Sequence, residues 1–146
     1  MHQSQDPMTN QELKTPMTAP YADSPGRWEF LTSSDGRAEM SWTPTPDMAN
    51  PFGSVHGGII ATVIDESCGA ALMPLIETPS APTVSLHVEY FYAVQIGGTY
   101  AILSEIVRKG RAMAIADARI LDEGGKLLVR GTCFFQIPRP KGDSAR

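Results

Sequence analysis

VHGGIIATVIDESCGAALMPL, residues 55–75, is the stretch on which the fold turns. From Gly57 to about Leu75 the apolar residues Ile59, Ile60, Val63, Ile64, Cys68, Ala71, Leu72 and Leu75 recur at spacings of three and four, the broad stripe of an amphipathic helix. Pro74 marks its end. The spacing predicts one helix of about 18 residues, ~27 Å long. A carboxylate, Asp65, stands in the middle of this apolar segment. Burying it costs several kcal/mol unless partners meet it, so the acid is paired, at the surface, or in use.

Four strand-like runs follow the helix. TVSLHVEYFY alternates Val84, Leu86, Val88, Tyr90 and Tyr92 against Ser85, His87 and Glu89. TYAILSEIVRK follows QIGG, AMAIADARIL alternates small and larger residues, and DEGGK turns the chain into LLVRGTCFFQI. Before the helix, RWEFLTSSDGRAEMSWTP reads as a hairpin with SSDG at its turn. TPTPDMANPFGS has too many prolines for regular structure and reads as a loop. One long apolar helix among six antiparallel strands is an α+β layout with the sheet wrapping the helix.

The chain has 146 residues, room for one core. Residues 1–25, polar and dotted with proline, are expected to be a flexible arm, residues 26–138 the domain, and residues 139–146 a frayed tail. A net charge of −4, without a dense basic stripe, gives no footprint for nucleic acid. No apolar run reaches the roughly 18 residues of a membrane span, and residues 1–20 lack the pattern of a secretory signal. Cys68 and Cys133 each sit in an apolar segment and read as buried, reduced thiols. The expectation is a soluble cytoplasmic protein.

Asp65 lies eight residues beyond Gly57, which places it ~12 Å farther along the helix. Its neighbours one turn away, Ala61 and Gly69, are small and leave a bare strip around the acid. Gly57 and Gly58 open the helix, where unpaired N–H groups and the positive end of the peptide dipoles favour an oxyanion. Amides and acid so far apart cannot share a small reacting group within one chain. If they cooperate, two such helices pack antiparallel in a two-fold dimer, giving a composite site that occurs twice.

NPFGSVHGGIIATVIDESCGAAL resembles the helix signature of the hotdog-fold acyl-CoA thioesterases of the phenylacetate-degradation type. The resemblance runs on through TVSLHVEYFYAVQIGG and VRKGRAMAIADARILDEGGKLLVRGTCFFQI, covering roughly residues 27–138. It implies an α+β hotdog fold and hydrolysis of an acyl-CoA thioester to a free acid and coenzyme A. It further implies no cofactor beyond coenzyme A as part of the substrate, and a homo-oligomer, a dimer pairing into a tetramer. By the same resemblance Asp65 is the catalytic acid, as nucleophile or as general base for water. The Gly57 backbone N–H polarises the thioester oxygen, His56 helps hold that loop, and Asn50 contributes from across the dimer. Thr83 orients the water or the acid. Arg108, Lys109, Gly110 and Arg111, with Gly58, lie along the coenzyme A. The chain departs from the family at FYAVQIGG, where members often carry a proline, and at Glu66, a second acid beside Asp65.

Plainer readings stand beside these. Asn50 closes a turn before Pro51, His56 caps a helix, Glu66 points about 100° from Asp65 to the surface or a salt bridge, and the basic cluster is a charged hairpin end. His56, Asp65 and His87 lack the i, i+4 pair that a metal site on one face requires. Ser67 has no adjacent base for a serine triad. Two other functions use the same fold: a hydratase or dehydratase on the same kind of acyl carrier, and a non-catalytic acyl-CoA-binding module. Tyr90, Tyr92, Met73 and the alanine-rich strand 112–118 are candidate walls of an acyl pocket.

Overall fold

A computed structural model describes residues 28–139. The arm, and all of the tail but its first residue, lie outside the described residues. The strands are β1 (Glu29–Ser34), β2 (Arg37–Trp42), β3 (Thr83–Tyr90), β4 (Tyr100–Lys109), β5 (Met113–Leu121) and β6 (Leu127–Gln136), with one long helix α1 (Gly57–Leu72) between β2 and β3. They form a single antiparallel sheet in the order β1-β2-β4-β5-β6-β3, so β1 and β3 are its edges.

The β1–β2 hairpin turns at Asp35 and Gly36, both with positive φ, the two-residue turn that matches strand twist. The helix stops at Leu72, earlier than the apolar stripe suggests. A 3₁₀ turn over Met73–Leu75 takes over because Pro74 has no N–H to continue the α ladder. By length and composition Gly57–Leu75 is apolar enough to cross a membrane, contrary to the sequence reading. Its buried residues nevertheless pack against the sheet, most of them in one main cluster.

That core lies between α1 and the inner face of the sheet, around Met40, Trp42, Val63, Ile64, Ile102 and Ile120. Two hydroxyls tie helix to sheet: Ser33 Oγ donates to the Ala70 carbonyl at 3.0 Å and Ser104 Oγ to that of Ser67 at 2.8 Å. Where the helix crosses β6 there is room only for glycine. A Cβ on Gly131 would stand 2.6 Å from Ile64 Cγ2. On β5, Ala114, Ala116 and Ala118 point inward and are buried beneath the helix. They are therefore floor under α1 and not the pocket walls expected of strand 112–118. Met73 packs on Ala38, Ala70 and Ala71 at the far end of the helix, which also removes it from the pocket.

Candidate active site

The loop before α1 is shaped by Asn50. Its Oδ1 accepts from the N–H groups of Phe52 (2.8 Å) and Ser54 (3.2 Å), and its Nδ2 donates to Ser54 Oγ at 3.1 Å. The turn-closing reading of Asn50 is thus what the structure shows. His56 N–H then donates to the Met48 carbonyl and Val55 N–H to that of Val94, which fix the start of the helix.

His56 is the N-cap: its Nδ1 accepts from Gly58 N–H at 3.1 Å. The Gly58 amide is consequently engaged already. The His56 carbonyl accepts from both Ile59 N–H (3.0 Å) and Ile60 N–H (3.1 Å), polarising the 56–57 peptide. Among the described residues no acceptor meets the N–H of that peptide, which belongs to Gly57. Tyr90 completes the arrangement. Its hydroxyl donates to the Gly57 carbonyl at 2.7 Å, so the 57–58 peptide is held at both ends. Burial pushes the Tyr90 phenol up from its usual range, which keeps the donor proton in place. This clamp was not visible in the sequence, where Tyr90 reads only as a wall. A cavity of about 560 Å³ opens here, lined by Asn50, Gly57, Gly58, Tyr90, Phe91 and Tyr92.

Asp65 is half-buried two turns farther on. Its Oδ1 accepts from Thr83 Oγ1 at 2.8 Å, and Cys133 Sγ lies 3.7 Å from the same oxygen. Asp65 and Thr83, distant in sequence, are therefore brought together, while Gly57 and its cavity stay apart from them within the chain. Cys68 and Cys133 are buried and free, as expected, yet they are neighbours: the hydrogen bond to Cys133 chiefly, then burial and nearby acids, push the Cys68 thiol far up.

Glu66 accepts from Trp28 Nε1 at 2.8 Å, so it anchors the start of the described chain instead of lying free at the surface. Ser67 is fully buried. His87 is exposed beside Glu89 (3.7 Å), whose carboxyl is held below the usual range mainly by Arg130. That places His87 with the charged side chains on the outer face of the sheet, where a larger depression of about 860 Å³ holds Arg37, Glu105, Asp117 and Arg119. Arg108, Lys109 and Arg111 are exposed at the β4–β5 hairpin end, which Gly110 N–H closes by donating to the Met113 carbonyl. The register runs Ala114, Phe135, Thr83 across β5, β6 and β3, so this basic end lies on the Thr83 side of the sheet.

A family model described as the thioesterase superfamily matches residues 52–129, more than half of the chain, from the Asn50 loop to β6. The chain belongs to the thioesterase superfamily. Among curated proteins this superfamily member is similar to human acyl-coenzyme A thioesterase 13, 21% identical over 107 residues that span 73% of this chain and 76% of that one. Among solved structures it resembles mouse thioesterase superfamily member 2, with a TM-score of 0.78 at 19% identity over 94% of this chain and 100% of that one. A Streptococcus mutans protein bound to acetyl CoA gives 0.73 at 19% identity, covering 77% and 89%. These likenesses establish the hotdog fold.

Proposed function

We propose that this chain hydrolyses an acyl-CoA thioester to a free carboxylic acid and coenzyme A, at a site built by two copies. Family membership and the acetyl CoA held by a structural neighbour support the substrate class. The observation that carries the mechanism is how α1 is attached to the edge strand β3. Thr83, opening the strand, holds Asp65; Tyr90, closing it, holds Gly57. β3 pairs with β6 on one side only, so its other edge is available for a second copy. Antiparallel pairing of two β3 edges about a two-fold axis sets the Thr83 end of one against the Tyr90 end of the other. The acid of one protomer then faces the free amide of its partner, and the ~12 Å gap within a chain is bridged between chains.

In that site the Gly57 N–H donates to the developing oxyanion, a contribution worth ~3 to 4 kcal/mol where single donors have been removed elsewhere. Asp65 either attacks the carbonyl, expelling the coenzyme A thiolate and leaving an anhydride that water opens, or takes a proton from a water that attacks the carbonyl and expels the same thiolate, with Thr83 fixing one carboxylate oxygen. His56 and Tyr90 hold the oxyanion peptides, and Asn50 shapes the loop beneath them. Arg108, Lys109 and Arg111 attract the phosphates of coenzyme A. A His–acid pair for hydration chemistry is disfavoured, because His56 caps the helix beside the Gly57 amide, a place that suits thioester polarisation better than proton transfer at the acyl carbons. A cytoplasmic location and a tetramer of two such dimers complete the reading.

The test is Asp65→Asn. Asparagine offers the same acceptor to Thr83, so melting temperature and oligomer should stay near wild type while thiol release falls ~10² to 10⁴-fold. Full activity in that variant would end the catalytic assignment.

A further inference from the structure

The candidate acid is held from two directions, and the second is unaccounted for. Thr83 approaches Asp65 Oδ1 from the edge strand at 2.8 Å; Cys133 approaches it from the floor of the sheet, Sγ at 3.7 Å. Cys133 is fully buried on the inner face of β6, with Cys68, three residues after Asp65 on α1, beside it. Among the described residues no donor meets Oδ2. A hydrocarbon side chain at position 133 would leave the inner side of this half-buried carboxylate facing apolar atoms, a cost that a thiol proton reduces. A hydrogen bond to an ionised acceptor is the stronger kind, which compensates for the weak S–H donor.

We propose that Cys133 is a positioning residue for Asp65: its thiol and the Thr83 hydroxyl together fix Oδ1 and turn Oδ2 towards the thioester. The proposal rests on the hydrolase reading of Asp65 given above. A disulfide switch between Cys68 and Cys133 is the competing use of the pair. Both sulfurs are inaccessible, and burial and neighbouring acids disfavour the Cys68 thiolate that would have to attack.

Cys133→Ser and Cys133→Ala separate positioning from packing, with kcat, KM and melting temperature measured on one acyl-CoA ester. Alanine suits an apolar floor at least as well as serine, so a packing role predicts that Ala keeps as much activity as Ser. A positioning role predicts the reverse: Ser stays within a few-fold of wild-type kcat, whereas Ala loses about tenfold or more at unchanged KM. The infrared S–H stretch gives a readout independent of turnover. The band that disappears in Cys133→Ala should move to higher frequency in Asp65→Asn, where a neutral amide replaces the carboxylate. An unmoved band, or wild-type kcat in Cys133→Ala, overturns the proposal while Asp65→Asn remains inactive. Turnover by Asp65→Asn would instead overturn the hydrolase reading itself.

Discussion

Replacing Gly57 by proline removes the candidate oxyanion N–H and sets a ring methylene in its place. Gly57 is the first residue of α1, the one helical position where proline is favoured, because its N–H has no intrahelical acceptor. The preceding residue, His56, sits at φ −60° and ψ 135°, the extended conformation that proline demands of its neighbour. A Cβ at position 57 would lie 3.5 Å from the Tyr90 ring, an ordinary contact. Gly57→Pro should therefore melt within about 1 kcal/mol of wild type, with the loss of chain freedom favouring the fold. Loss of the oxyanion donor should lower kcat ~10² to 10³-fold. The composite site adds a sharper outcome. Mixing Gly57→Pro and Asp65→Asn chains under conditions that exchange subunits leaves one intact site per mixed dimer. Two variants that are each inactive should then recover roughly a quarter of wild-type activity. Thiol release measured with a trapping dye reads this directly. A Gly57→Pro enzyme with full kcat refutes the oxyanion assignment, and mixtures that stay silent refute the shared site.

Gly131→Ala should cost about 1–3 kcal/mol, because Ile64 is buried, β-branched and confined on the helix, so α1 itself must lift; denaturant unfolding checks this. Gly69→Ala, where an added methyl meets nothing within 4 Å, should instead stabilise the chain by up to ~1 kcal/mol in the same experiment. His56→Ala removes the N-cap and should cost about 0.5–2 kcal/mol, with His56→Asn restoring most of it in thermal melts. Because Arg130 holds the folded Glu89 carboxyl below its usual range, this pair stabilises the fold above the unfolded carboxylate pKa. The stabilisation is lost as pH falls through the folded value, so Glu89→Gln should flatten the acid unfolding curve below about pH 4. Charge reversal at Arg108 and Arg111 should raise KM for an acyl-CoA and weaken its dependence on salt, with kcat little changed.

The architecture could be read from residue order because each element declares its own period: three and four for α1, two for the strands, Asp35–Gly36 for the first turn. The spacing of Gly57 and Asp65 is what led to the expectation of a second chain, and the described residues keep the two apart within one chain. Less legible was everything set by strand register. Tyr90 reaches Gly57 across 33 residues and Cys133 reaches Asp65 across 68, and no local pattern encodes either meeting. The alanines of β5 illustrate the same limit. Alternation placed them on one face, but only the packed sheet shows that this face lies under the helix. Glu66 was assigned to the surface or a salt bridge from its helical angle, and the indole of Trp28, 38 residues upstream, meets it there.

The open edge of β3 carries a second consequence. A strand margin with Val84 59% exposed is a template for indiscriminate aggregation as well as for orderly pairing. Occupying that margin with an identical strand would protect solubility and assemble the reaction centre in one stroke. Substitutions that spoil the pairing should then surface in the laboratory as precipitation before they are ever scored as slow enzymes.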